Sequence, residues 1–89
     1  MRKKKMINLV EVVQQNERVF LREIIINPSH VVSVVPDEDS AAMNANGKLP
    51  DGLHAAQQFS KVKLVDGQTV RVVGNPGVIG DKTKKLLFG

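Results

Sequence analysis

Short runs rich in valine and isoleucine recur along this chain, and each run ends at asparagine, proline, glycine or another polar break. β-Branched residues pack well on a pleated sheet, whereas turn residues interrupt a strand. The runs cover residues 6–14, 18–26, 31–35, 59–65 and 69–73. The pattern therefore predicts about five strands with short connections, a plan typical of an antiparallel sheet.

The first three runs lie close together in the sequence. Residues 15–17 (Gln-Asn-Glu) separate the first two runs, which are close enough to form a hairpin. Asn27 and Pro28 end the second run, and Asn27 could also cap a single helical turn that has Pro28 at its first position. Residues 31–35 (Val-Val-Ser-Val-Val) are apolar on both faces, so we expect this third strand to be central or buried at an interface.

The clearest predicted element is a second hairpin around Asp66 and Gly67. A two-residue loop and a three-residue loop are both compatible with its length. We favour the three-residue loop, which pairs Val65 with Thr69, because one face of the hairpin then stays apolar. The opposite face then carries three bases together: Lys61, Lys63 and Arg71.

Two further segments complete the chain. Asn75 as a cap and Pro76 as a first residue predict a short C-terminal helix, with Val78, Ile79, Thr83, Leu86 and Leu87 near one face. Residues 37–58 keep no regular period, and we expect a long mobile loop there, with helical turns near residues 40–43 and 53–57. Such loops are uncommon in small domains unless they are functional or disordered.

The predicted fold class is therefore mainly β within α+β: a small antiparallel sheet or partly open barrel of about five strands. A short C-terminal helix and a long loop at residues 37–58 accompany the sheet. We expect residues 1–5 to be a basic flexible tail and residues 6–89 to be one small β-rich domain.

The plan resembles the small flagellum-associated FlbD/SwrD proteins. Three parts of the chain carry the resemblance: the start at residues 6–9, the extended–turn–extended stretch at 19–35, and the hairpin at 62–73 followed by a helix. This sequence adds a basic start, the insertion at 37–58 and two Asn-Pro turns. The resemblance implies a small non-enzymatic regulator or accessory protein with no catalytic residues to carry over, and the same plan fits a small phage-encoded regulator.

The net charge of +4 is unevenly distributed. Residues 2–5 are all basic, residues 6–58 hold seven acids and three bases, and residues 60–89 hold six bases and two acids. A charge asymmetry of this kind can serve nucleic-acid or acidic-partner binding through phosphate-type contacts, or can simply be a solvated surface. The residues that would make such contacts are Lys61, Lys63, Arg71, Lys82, Lys84 and Lys85.

Catalytic chemistry finds little support in the sequence. There are no cysteines, and the two histidines, His30 and His54, lack metal-ligand spacing. Residues 37–39 (Asp-Glu-Asp) lack the pattern of a calcium loop and indicate a solvated acidic loop, and residues 74–80 lack the ending of a phosphate-binding loop. We therefore expect no enzyme activity, no catalytic residues, no cofactor and no metal site.

Two functions remain as hypotheses. The first is a regulatory or accessory protein that binds another protein through a sheet edge, an apolar patch or the loop at 37–58. It is favoured because so small a chain carries a surplus of apolar strand residues at 24–26 and 31–35. The second is a basic module that contacts the phosphate backbone of nucleic acid. A homo-oligomer would help a chain of 89 residues without cysteines to reach adequate stability. No secretory or membrane-spanning stretch is recognisable, which favours the cytoplasm.

Overall fold

The structure is a computed structural model that describes residues 6–49, 53–54 and 56–88. The predicted tail at residues 1–5 lies outside the described residues. The elements are, in chain order, β1 Ile7–Gln15, β2 Arg18–Ile26, a 3₁₀ turn at Pro28–His30, β3 Val31–Pro36, α1 Glu38–Ala45, β4 Phe59–Leu64, β5 Thr69–Val73 and α2 Pro76–Phe88.

The five strands form one antiparallel sheet in the order β2-β1-β5-β4-β3. The sheet is open, since β2 and β3 are its two ends and do not pair with each other. The predicted mainly β, α+β class with five strands and a C-terminal helix is confirmed, in its open-sheet form.

Helix α2 covers one face of the sheet, which we call the α2 face. Ile79 is 3% exposed and packs among Val62, Val70 and Val72, the inward residues of β4 and β5. Residues of β1 and β2 extend the same cluster: Ile7, Leu9 and Ile26. The main core therefore lies between α2 and the sheet.

The opposite face, which we call the α1 face, is covered in part by the segment that follows β3. Phe59 and Val12 are buried there against Leu49, with Met43 and Leu53 packed around them. The segment 37–58 is therefore not simply a long loop, because residues 38–45 form a two-turn helix and Leu49 is buried. The helical turn predicted near residues 40–43 lies inside α1, which is longer than predicted. Its full length was not predicted because α1 is held by its cap and by tertiary packing, and its own sequence is barely amphipathic.

The predicted Asn-Pro turns are confirmed as capped helix starts. The side chain of Asn27 accepts a hydrogen bond from the Ser29 N–H at 3.0 Å, with Pro28 at the first helical position. The side chain of Asn75 accepts one from the Gly77 N–H at 2.7 Å in the same way at the start of α2. Within α2, Ile79 and Thr83 face the core as expected, but Val78 is 54% exposed.

The register of the second hairpin differs from the favoured prediction. Val62 pairs with Val70 and Lys63 with Thr69, so the three-residue loop is residues 65–67, one position earlier than predicted. Each β5 residue therefore pairs with a β4 residue two positions earlier than predicted. Because side chains alternate between the two faces, a shift of two positions leaves every side chain on its predicted face. The three bases Lys61, Lys63 and Arg71 therefore still share one face, the α1 face.

The third strand lies at the edge of the sheet, so the expectation of a central strand was wrong, while burial at an interface stays a prediction. Its two apolar faces differ in burial. Val31 and Val34 pack on the main core, while Val32 and Val35 are 58% and 46% exposed. A register shift between Val31 and Ser33 turns Val32 outward, an irregularity that alternation in the sequence does not reveal.

Candidate interaction surfaces

The outer side of β2, which we call the β2 edge, is a strand edge nine residues long with which none of the strands in the described residues pairs. Its inner side pairs with β1 in an unbroken register from Ile7–Ile26 to Gln15–Arg18. Neither proline nor a bulge interrupts the described strand. An edge that is long and regular is a template on which another strand can pair.

The turn that closes the β1–β2 hairpin determines which backbone groups point outward. The turn is Asn16-Glu17, and Asn16 has a φ of 55°, a left-handed conformation that asparagine tolerates better than most residues. The closing pair of a two-residue hairpin is hydrogen-bonded, and bonded and non-bonded pairs alternate from there. The even-numbered residues of β2 therefore bond to β1, and four odd-numbered residues present their N–H and C=O groups to the β2 edge: Val19, Leu21, Glu23 and Ile25.

The side chains of these four residues lie on the α1 face. Leu21 and Val19 are half-buried against the cluster of Val12, Leu49 and Phe59, whereas Ile25 is 63% exposed. On the same face, Val10 of β1, which pairs with Glu23 of β2, is 37% exposed. The free backbone groups thus have apolar side chains beside them at both ends of the strand.

Arg22 lies at the middle of β2 on the α2 face. Its Nε donates to Glu11 Oε1 at 2.8 Å, and Glu11 is the cross-strand partner of Arg22. The pair neutralises both charges, so the centre of the β2 edge carries no net charge on that face.

The six bases predicted to contact an acidic partner do not form one surface. Lys61, Lys63 and Arg71 lie on the α1 face, whereas Lys82, Lys84 and Lys85 belong to the helix that covers the α2 face. Arg71 is in addition close to a buried acid, with its Nε 3.9 Å from Asp37 Oδ2. The sequence could not reveal this division, because it depends on which face α2 packs against.

Asp37 has a structural role in this arrangement. It is 1% exposed and caps α1, accepting hydrogen bonds from the Ser40 N–H at 3.1 Å and the Ser40 hydroxyl at 2.5 Å. The backbone N–H of Asp37 donates to the Phe59 carbonyl at 2.9 Å. The expected solvated acidic loop at 37–39 is thus wrong for Asp37, while Glu38 and Asp39 stay exposed in the first turn of α1.

The lysines of α2 lie on two flanks of that helix. Lys82 and Lys85 line a shallow cavity of about 340 Å³ together with Met6, Ile7 and Asn8. Met6 is exposed, and the basic residues 2–5 directly precede it in the sequence. Lys84 is exposed and is not part of this cavity.

A groove of about 440 Å³ lies between the starts of the two helices. Its floor is Phe59, and Asp37 and Asn75 stand on its two sides. The Asn75 side chain donates to the Gln58 side chain, and the Ser60 hydroxyl donates to the Gly74 carbonyl at 2.7 Å. These polar groups already have partners within the fold, and they tie α2 to β4.

The two histidines have local roles in the backbone. The carbonyl of His30 accepts a hydrogen bond from the Val65 N–H at 2.9 Å, and His54 Nδ1 accepts one from the Ala56 N–H at 3.1 Å. Across residues 6–49, 53–54 and 56–88, no group of three histidine or acidic side chains is arranged to hold a metal ion.

Comparisons of the chain with protein-family models, with curated proteins and with solved structures found no match. The resemblance to FlbD/SwrD proteins therefore stays a prediction from the sequence. Neither helix in the described part of the chain is long and apolar enough to cross a membrane.

Proposed function

We propose that this chain is a small regulatory or accessory binding protein that acts by contacts with another polypeptide, made by strand addition at the β2 edge. The observation that carries the proposal is the free edge itself: nine residues in unbroken register, with four residues directing backbone groups outward. Backbone hydrogen bonds supply affinity in strand addition, and alternate side chains supply specificity.

The side chains beside the edge support the same function. Exposed apolar residues in contact with free backbone groups favour a protein partner, because a nucleic acid offers neither a matching strand nor an apolar surface of this kind. Ile25 and Val10 supply such a surface on the α1 face. A non-enzymatic, cytoplasmic role remains the expectation from the sequence.

A photo-crosslinking amino acid at position 25 tests this proposal in the cell that makes the protein. The matched control is position 65, since Val65 and Ile25 are both 63% exposed but Val65 lies in the hairpin loop. The expected result is an adduct with a polypeptide from position 25 and none from position 65. Equal adducts from both positions, or none from position 25, would contradict the proposal.

A basic contact with the phosphate backbone of nucleic acid is the second candidate. The observation that favours it is the position of Lys82 and Lys85 beside Met6. In the sequence, Met6 directly follows the four bases of residues 2–5. Such contacts release counterions, so binding weakens as salt rises.

A salt titration of duplex binding separates this candidate from the first. Changing Lys82 and Lys85 to alanine is expected to reduce the slope of log affinity against log salt by about 2, since each phosphate contact contributes about 0.9. The double change at Lys61 and Lys63, on the other face, is the control and leaves the slope unchanged. Absence of binding at low salt would remove the second candidate.

A further inference from the structure

We infer that the partner at the β2 edge is a second copy of this chain, paired antiparallel through β2 about a two-fold axis beside Arg22. This inference rests on the proposed function, because it names the polypeptide that occupies the edge. Two-fold dimers are the commonest symmetric assemblies, and their interfaces must be self-complementary. The sequence of β2 can be tested for that property.

Symmetry limits the pairings that β2 can make with itself. A two-fold axis perpendicular to the sheet keeps the α1 faces of both copies on the same side. Directly opposed residues then lie on the same face, so they are both odd-numbered or both even-numbered. The odd-numbered residues present their backbone groups outward, and they would form the hydrogen-bonded pairs of the new ladder.

The register centred on Arg22 pairs apolar residues on both faces. Val19 lies opposite the second copy's Ile25 on the α1 face, which covers the most exposed isoleucine of the strand. Phe20 lies opposite Ile24 on the α2 face. The full length of β2, from Arg18 to Ile26, is engaged, and about eight backbone hydrogen bonds form.

Charge and length together distinguish this register from its neighbours. A register centred on Glu23 places the two Glu23 carboxylates opposite each other, and one centred on Leu21 leaves Ile25 and Ile26 without a strand residue opposite them. The chosen register places Glu23 opposite the second copy's Leu21. The chosen register does place two Arg22 side chains opposite each other. Each of them is already neutralised by its own Glu11 at 2.8 Å, so the like-charge repulsion is small.

The size of the chain supports a self-association that shares a sheet. An 89-residue domain without cysteines buries a limited core, and pairing two five-stranded sheets removes an exposed edge from each copy. A single strand–strand contact is smaller than the roughly 800 Å² per partner of a standard interface. The dimer is therefore expected to dissociate on dilution.

Single-cysteine cross-linking tests the inference, because the chain has no cysteine of its own. In the proposed dimer, Arg22→Cys places two cysteines in a non-hydrogen-bonded antiparallel pair with Cα atoms about 4.5 Å apart, within disulfide range. Arg18→Cys is the matched control on the same face. Its counterpart in the second copy is eight residues further along the strand, or about 27 Å away.

The expected result is a covalent dimer of Arg22→Cys under mild oxidation and a monomer of Arg18→Cys. Sedimentation of the unmodified chain should show a monomer–dimer equilibrium, a measurement that does not depend on the variants. A monomer at all concentrations, or equal cross-linking of both variants, would overturn the inference. A position-25 adduct with a different protein would overturn it as well, yet would support the proposed function.

Discussion

The two edges of this sheet differ in how the chain treats an unpaired strand. The β3 edge is short, shifts register at Val32 and ends at Pro36, a residue that cannot donate to a ladder. The β2 edge has nine residues in continuous register with neither device. Bulges and proline at an edge are common protections against pairing with other chains, so their presence on one edge alone marks the other as the edge available for pairing.

The β3 strand is followed directly by the turn that starts α1, and the loss of the cap of this turn should have the largest effect on stability. Asp37→Ala removes the cap and leaves the buried Ser40 hydroxyl without its acceptor. We expect a loss of about 2–4 kcal/mol in the free energy of unfolding, from the cap and the unsatisfied hydroxyl together. Urea denaturation measures it, with Asp39→Ala, an exposed acid of the same turn, as the control. Equal losses in both variants would mean that burial of Asp37 contributes nothing.

A charge introduced at the β2 edge should weaken self-association, whereas the same charge at the β3 edge should not. Ile25→Lys removes an apolar contact and adds a desolvated charge, so the Kd for self-association should rise at least about tenfold, or about 1.4 kcal/mol. Val32→Lys makes the same change at the β3 edge, where Val32 is similarly exposed. Sedimentation velocity compares the two. A similar weakening by Val32→Lys would show that the edges are equivalent.

The hairpin that carries the β2 edge depends on its turn. Asn16 has a φ of 55°, and a side chain without the tolerance of asparagine for this conformation is strained there. We expect Asn16→Ala to lower the free energy of unfolding by about 1 kcal/mol. Asn16→Gly, which adopts the conformation freely, should leave it nearly unchanged. Thermal or chemical unfolding tests the difference, and equal stability of the two variants would mean that the turn is not strained.

The smallest effect is expected from the ion pair at the centre of β2. Arg22→Ala breaks the contact with Glu11, but the Arg22 side chain is 58% exposed. Exposed pairs contribute about 0.2–1 kcal/mol, and salt reduces that contribution. The free energy of unfolding of the variant should therefore be lower than that of the parent chain at low salt, and the two values should converge at high salt. A loss that is large and independent of salt would place Arg22 in a different role.

The sequence predicted the elements that depend on local chemistry. Each strand, both Asn-Pro caps and the sharing of one face by Lys61, Lys63 and Arg71 follow from alternation and turn residues close in the chain. The burial of Asp37 and the edge position of β3 did not follow. Both depend on which strands meet and where α1 packs, and those contacts join residues far apart in sequence.

The candidate surface was only partly visible in the sequence. Three consecutive isoleucines at residues 24–26 break the alternation of β2 and indicate apolar side chains on both faces. That signal points to the strand, and the surplus of apolar residues favoured a protein partner. It does not reveal that β2 lies at an edge, because strand order is set by the pairing of β1 with β5.

Amide hydrogen exchange along β2, measured residue by residue at increasing protein concentration, tests the central claim most directly. The amides of Phe20, Arg22 and Ile24 bond to β1 and should be protected at every concentration. The amides of Val19, Leu21, Glu23 and Ile25 should exchange fast in dilute solution and become protected as copies pair. Rapid exchange of the odd-numbered amides at all concentrations, or new protection on β3 instead, would contradict the account.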